Sequence, residues 1–534
     1  AAAGEPFLFR GELAGVTRHS CRHRRVLTCF AQLTDVHVMD VQSPARFEYF
    51  DPYSAIPGLG DFASSYRPQE LLSARVADAM VTQLRKVRRG PALGAPIGYA
   101  VVTGDNTDNC QFNELRWYID TLDGGAVRPD SGDAGRYEGV MDDVAADPYF
   151  WHPESGFGQP TAVYGFPRVP GLLDAARAPF RAVGLGLPWY TVYGNHDGLV
   201  QGNVPRGDLL QQIATGPLKL TSLPPSILAS PLTAQVQFLV GLLRLDPAAV
   251  ALQLAEGGRR FVTPDAGRRI IDRGTTIAEH FTTSGTPVGH GYTAANLAAG
   301  TAYYRFDRGP VRGLVLDTVT SSGGPNGSLD PTQFAWLEAQ LQAASTHWLT
   351  PSGEVVRRAG AVDRYVVIFS HHTIGTMDNV SAGSDRIGGP QVRDLLLRYP
   401  NVIAWVNGHT HRNEVLSHAR PSGCAVGGGF WEINTAAHID WPQQSRVVEL
   451  TDNLDGTLSI YCTMVDHSGP ISRRRLAGTA ALASLSRELA ANDWSNRTDA
   501  RRGDVTDRNV ELLLPDPISA RGRHRVPAAA MAGV

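Results

Sequence analysis

Five apolar runs along the chain each stop at a short polar cluster. They are residues 26–33 (VLTCFAQL), 99–102, 189–193, 365–369 and 402–406. Short runs rich in Val, Ile and aromatic residues, with no polar face, read as buried strands. Between them the apolar period changes. Leu72, Val76, Met80, Leu84 and Val87 fall on one face of a helix that Pro68 opens. A second helix is predicted near 112–122. A third begins at Pro331 behind the cap Asp330, with Phe334, Leu337 and Leu341 as its apolar face. Residues 303–306 and 312–316 predict an antiparallel pair, and 430–433, 446–450 and 458–464 continue in strand character. Strands alternating with helices predict an α/β architecture. In such folds ligands bind beyond the carboxyl ends of strands, where all five polar clusters fall.

This pattern divides the chain. Residues 1–25 are a polar, basic flank. Residues 26–470 form the main domain, and 198–300, broken by Gly and Pro around a helix near 234–243, read as an insertion into it. Residues 40–67 and 123–187 are irregular. Composition shifts at 471–534 to an amphipathic helix (about 476–489), a polar Arg/Asp stretch, a short apolar segment and a Pro/Ala tail. This is expected to be an arm packed on the core, with a frayed end.

Composition narrows the function classes. The 534 residues are 43% hydrophobic and 19% charged, as in an ordered globular protein. A net charge of −3 and a pI near 6.6 give no electrostatic case for nucleic acid or an anionic membrane as partner. Lys86 and Lys219 are the only lysines. The arginine excess is read as codon usage in a GC-rich genome. The five cysteines are scattered without a CxxC, so neither a disulfide framework nor a zinc ribbon is expected. No run approaches the roughly 18 apolar residues of a membrane span. The start Ala1-Ala2-Ala3, without Met, fits an exported bacterial chain after signal cleavage, and equally a trimmed one.

The clusters are DVH (Asp35, His37), GDNTD (Gly104 to Asp108), GNHD (Gly194 to Asp197), SHH (Ser370 to His372) and GHTH (Gly408 to His411). Positions i and i+2 of extended backbone point the same way, so Asp35/His37 and His409/His411 could each grip an ion from one strand end. Gly104 lets the backbone turn sharply before Asp105. Asn195 offers a neutral carbonyl oxygen and His371 an imidazole. Asp35, His37, Asp105, Asn195, His371, His409 and His411 are too many ligands for one ion and suit two if Asp105 is shared. Imidazole and carboxylate without thiolate suit Mn, Fe or Zn, divalent or trivalent, as well as Co and Ni.

Through these five blocks, from about residue 26 to 467, the sequence resembles the calcineurin-like metallophosphoesterase superfamily. The resemblance implies a four-layer sandwich, two mixed β-sheets flanked by helices, with a dinuclear centre on its edge. By position it implies Asp35, His37 and His411 around one ion, Asn195, His371 and His409 around the other, and Asp105 between them. In relatives the SHH histidine is followed by one residue and then Pro; here that place holds Thr373. Purple acid phosphatases carry a Tyr three residues after the GD aspartate, where this chain has Asp108, so an iron–tyrosinate centre is not expected. Protein phosphatases carry an Asp there, which orients the GNH histidine. The Arg-Gly that follows in them is Asn109-Cys110 here.

The implied reaction is hydrolysis of a small phosphomonoester or phosphodiester by a hydroxide bridging the two ions. His196 would protonate or stabilise the leaving oxygen, and Asp108 would hold His196 charged and oriented. Asp197 is expected to fix a turn. His372 is expected to be structural or to support a ligand. His438, His290 and Tyr292 are candidates for the pocket or for loop structure. The remaining histidines are read as structural. Two alternatives stand beside this reading. One is a nuclease on the same scaffold, drawing on the basic cluster Arg85, Lys86, Arg88 and Arg89. The other is a non-catalytic scaffold, which should have lost ligands.

Overall fold

Apolar runs with no face to show water become the inner strands of two stacked sheets. The computed structural model describes residues 4–518, apart from 22, 57–64, 145–146, 380–382, 384, 472–477 and 495–498. The first sheet has seven strands in the order Leu8–Arg10, Val510–Pro515, Thr457–Asp466, Gln444–Asp452, Arg25–Leu33, Tyr99–Val102 and Trp189–Thr191. Its last three run parallel, with Leu33 opposite Val102 and Val102 opposite Thr191. The second has six, in the order Glu414–Ala419, Gly429–Asn434, Val402–Asn407, Tyr365–Phe369, Val311–Val315 and Tyr304–Arg308. Its four inner strands are parallel and its two edges antiparallel.

Side chains alternate along each strand, so each sheet has two faces to bury. Phe30, Tyr99, Val101 and Tyr190 of the first sheet meet Phe306, Val367, Phe369 and Val406 of the second. Tyr190 and Phe306 stack across the join with centroids 3.9 Å apart. Each such fully buried side chain contributes roughly 1.5–3 kcal/mol. The opposite face of the first sheet (Ala31, Leu33, Ala100, Val102) packs on helices Ser73–Val87 and Phe112–Asp123. That of the second (Leu314, Val366, Ile368, Trp405) packs on Pro331–Ala343 and Gly389–Leu397. The layers are therefore helix, sheet, sheet, helix, as the resemblance implied.

The structure corrects the sequence reading at several elements. The helix expected from Pro68 begins only at Ser73, behind a 3-10 turn at Glu70–Leu72. Hydrogen bonds hold that turn: Glu70 Oε2 accepts from the Arg67 backbone N–H at 2.9 Å and from Arg46 Nη2 at 2.8 Å. The segments read as flank and arm are both woven into the first sheet. Leu8–Arg10 pairs in parallel with Val510–Pro515, which pairs antiparallel with Thr457–Asp466. The expected amphipathic helix is Gly478–Asn492, while Leu476 and the Pro/Ala tail lie outside the described residues. The edge strand Glu414–Ala419 has no apolar run to announce it.

Within residues 198–300, the antiparallel pair Leu218–Ser222 and Gly258–Phe261 brackets helices Leu232–Leu243 and Pro247–Glu256. These helices pack over Tyr49 and Phe50 in a small apolar cluster of their own. Among the described residues no single helix is long and apolar enough to cross a membrane.

Candidate metal centre

The carboxyl ends of the inner parallel strands face one edge of the sandwich, and the five motifs follow Leu33, Val102, Thr191, Phe369 and Asn407 there. The extended geometry expected for the paired ligands is not what the backbone adopts. Asp35, His37, Asp105, His409 and His411 all have positive φ, between 44° and 72°. Left-handed backbone at non-glycine residues costs of order 1–3 kcal/mol each and is held by its surroundings. Here inter-loop bonds hold it. Asp35 N donates to Gly104 O at 3.0 Å, His37 N to Asp105 O at 2.9 Å, and Gly408 N to His371 O at 3.0 Å.

The motif glycines do more than turn the chain. A Cβ on Gly104 would lie 2.6 Å from His371 Nδ1, one on Gly194 2.2 Å from Asp105 Oδ1, and one on Gly408 2.5 Å from Asp35 Oδ2. Each glycine thus admits a candidate ligand from a different motif. Asp197 ties two loops together, accepting from Gly194 N at 2.9 Å and Thr107 N at 3.0 Å.

Among the described residues three groups of donors result, two built around the expected ligands and a third of His37, Asp108 and His196. Asp35, His37, Asp105 and His411 converge within 4.8 Å of one another, as do His371, His372 and His409. Asp105 Oδ2 faces both of the first two groups, 3.0 Å from His371 Nε2 and 3.7 Å from His37 Nε2. Burial would raise the Asp105 pKa, yet His371, His196 and His37 hold it well below the usual carboxylate range. His371 and His372 are set apart by their partners. The His371 Nδ1–H donates to Thr103 O at 2.9 Å, leaving Nε2 to face Asp105. Both nitrogens of His372 are engaged, with Thr318 Oγ1 at 2.6 Å and Pro325 O at 2.8 Å.

The donor set fits a pair of cations. His37 Nε2 and His411 Nε2 confront each other at 3.4 Å, and His371 Nε2 and His409 Nδ1 at 3.2 Å. Asn195 Oδ1 is buried without a hydrogen-bond partner. Converging lone pairs and an orphaned carbonyl oxygen are costly unless a cation joins them. The ring nitrogens turned away are also fixed. His37 Nδ1 lies 3.0 Å from Asp108 Oδ1 and His411 Nδ1 2.6 Å from Asp440 Oδ2, the carboxylate–histidine arrangement that orients metal ligands.

Asp440 escaped the sequence reading. It follows the strand Gly429–Asn434 in a segment with no glycine-led motif, and its neighbour His438 drew the attention instead. His438 is buried, bonded through Nε2 to Ser445 Oγ at 2.8 Å, and supports Asp35 through its backbone amide. Asp440 is also held by Arg67 at 2.8 Å and by Arg501. Despite burial, Arg501 and Arg67 keep its pKa well below the ordinary value. Asp440→Asn is expected to weaken Mn or Zn binding about 10–100-fold, with an unchanged far-UV circular dichroism spectrum. Calorimetric titration showing wild-type affinity would detach Asp440 from the centre.

Asp108 has a broader place than the one expected of it. Its carbonyl oxygen accepts from His196 Nδ1 at 2.8 Å, whereas its carboxylate binds His37 and Arg46 and lies 3.5 Å from His196. His290 and Tyr292 are outside the candidate donor groups and back the strand that leads into GNHD, the His290 carbonyl accepting from Thr191 N at 3.0 Å. His290 stacks on Trp189 at 3.4 Å and meets His280 at 2.9 Å, and Tyr292 packs against Tyr304.

No family profile matches the chain, and no curated protein is significantly similar to it. Two solved structures are similar to the chain at a distance. One is a dimetal phosphatase from Danio rerio, 14% identical with a TM-score of 0.34, covering 83% of this chain and 100% of that one. The other is the purple acid phosphatase PPD1 from yellow lupin (Lupinus luteus) seeds, 12% identical with a TM-score of 0.31, covering 82% of this chain and 51% of that one. At such distance the likeness decides nothing about chemistry. What the structure itself shows is two stacked mixed sheets with the five motifs gathered at the strand ends along one edge. Its buried His/Asp cluster has the composition and geometry to hold metal ions.

Proposed function

We propose that this protein hydrolyses phosphate esters of small molecules at a dinuclear centre. Asp35, His37 and His411 would hold one ion, Asn195, His371 and His409 the other, with Asp105 shared. Mn, Fe and Zn suit this donor set. The observation that carries the reading is the single oxygen, Asp105 Oδ2, facing donors of both groups. Bound there, two cations would activate water at neutral pH and offset charge on a phosphoryl group.

The chain's own residues supply the rest. His196 follows Asn195, and its Nδ1–H donates to Asp108 O. That fixes the tautomer and leaves Nε2 as the working atom. Burial disfavours a charged imidazole, but Asp105 and Asp108 outweigh it and raise the His196 pKa above its ordinary value. His196 is thereby suited to deliver a proton to a departing oxygen. A Cβ on Gly202 would lie 2.4 Å from His196 Nε2, so only glycine there admits the ring.

His196→Ala is expected to keep its metal content while losing about 10²–10⁴-fold in kcat on alkyl phosphates, and much less on p-nitrophenyl phosphate, whose leaving group needs no proton. Equal losses on both substrates would remove the acid role. A phosphate-release screen across nucleotides, sugar phosphates and glycerophosphodiesters, with each divalent metal in turn, tests the class. Inert protein in every arm would end the reading.

The nuclease alternative lacks support in the placement of its basic cluster. Arg85, Lys86, Arg88 and Arg89 lie at the end of the helix that returns the chain to the start of strand Tyr99–Val102, at the opposite end of the sheet from the motifs. Arg85 there bonds to Val183 O and Gly184 O, and Arg89 to Gly94 O.

A further inference from the structure

A cavity of about 410 Å³ lies between residues 51–55, the segment 149–164 and Trp494. Three aromatic rings line it. Tyr164 stacks on Trp494 at 5.2 Å and 13°, and Tyr149 stands edge-on to Trp494 at 5.9 Å and 89°. Asp51 lines the same space while only 3% exposed. Its Oδ2 accepts from the Tyr149 hydroxyl, the Tyr66 backbone N–H also steadies the carboxylate, and its Oδ1 has no partner in hydrogen-bond geometry.

A buried carboxylate oxygen without a donor is costly, and no motif of the metal centre uses this one. Apolar ring faces beside an anion are the surroundings that attract an organic cation. The rings offer their negative faces to a charge spread over methyl groups, and the carboxylate offers a counter-ion without demanding a hydrogen bond in return. A compact ammonium such as that of lysine would have to shed strongly bound water to enter. A methylated ammonium sheds much less.

We propose that this cavity binds a quaternary alkylammonium group, with Asp51 as counter-ion and Tyr149, Tyr164 and Trp494 as the cage. Burial pushes the Asp51 pKa up to about 7, against the Tyr149 hydroxyl that lowers it, so the carboxylate gains from a bound cation. Nearby Asp493 adds to this negative field, and Arg67 partly offsets it. Arg67 also reaches Asp440, which places the cage one ion pair away from the metal centre. The site is nevertheless independent of any reaction there.

The test is titration of the full-length protein with choline chloride at constant ionic strength, by calorimetry and by tryptophan fluorescence. Its uncharged carbon isostere, 3,3-dimethylbutan-1-ol, is run in parallel. Saturable choline binding is expected, at least tenfold tighter than binding of the isostere. Asp51→Asn should lose at least tenfold in choline affinity and little in affinity for the isostere. Tyr164→Leu should weaken choline binding with the thermal midpoint unchanged, which guards against an Asp51 variant that folds poorly. Equal affinity for choline and the isostere would overturn the proposal, as would no saturable binding, or wild-type choline affinity in both variants.

Discussion

Under the proposed assignment, replacing Asp105 by Asn is expected to abolish binding of both cations and to cost more than about 10³-fold in phosphatase activity, the scale on which a lost electrostatic stabiliser is felt. The carboxylate serves two masters. Oδ1 accepts the His196 amide at 2.9 Å, and Oδ2 faces His371 and His37. An asparagine must turn its NH2 one way or the other. Turned to Oδ1's place it meets a donor; turned to Oδ2's place it presents hydrogens where the cations belong. Neither orientation is satisfied, so the isosteric change is not mild. Metal content by mass spectrometry and p-nitrophenyl phosphate turnover, measured on the same preparation, read the outcome. Two ions per chain with normal turnover would refute the shared-ligand assignment.

The second large effect is one of stability. Arg46 is fully buried, and its guanidinium meets Asp108, Glu48 at 3.2 Å and Glu70 at 2.8 Å. Arg46→Met would leave Glu48 with Lys219 at 2.9 Å, and Asp108 and Glu70 with Arg67 and, for Asp108, His196 as the remaining near cations. Removing one partner of a buried ion pair costs about 3–5 kcal/mol. Urea unfolding with a chelator present separates this from any loss of metal. The cost should also depend on pH. Burial raises the Glu70 pKa to about 8, and Arg46 is the chief group lowering it. A carboxyl whose folded pKa lies above its unfolded value loses stability as pH rises between the two. Without Arg46 the folded pKa moves higher still, so the deficit should widen as pH rises through about 8 and be greater at pH 9 than at pH 6. A pH-independent deficit would exclude Glu70 from the network.

Most of the architecture was legible in the sequence because inner parallel strands must be apolar on both faces and therefore stand out as runs. The clusters at their ends were legible because each ends a run and most carry a glycine that admits another motif's side chain. Other features leave no such mark. Asp440 and Arg46 are single charged residues whose roles depend on which strand ends are neighbours, which a one-dimensional pattern does not encode. Gly202 looks like any loop glycine until His196 is seen against it. The i, i+2 spacing of Asp35/His37 and His409/His411 suggested extended backbone, but left-handed turns produce the same spacing. Leu8–Arg10 spans three residues, too few for a period, and was hidden in a basic flank.

That short strand has a consequence for biosynthesis. Its sheet partner is Val510–Pro515, and Arg508 and Asn509 bond back to Glu5. At about 5–20 residues per second, the ribosome takes roughly 25–100 s to deliver the second after the first. Throughout that interval Leu8–Arg10 must wait, and the edge of Thr457–Asp466 lies bare once made. The nascent protein would thus leave the tunnel with an adhesive border that only Val510–Pro515 can seal, and its yield in a heterologous host should respond to holdase chaperones more than to codon choice.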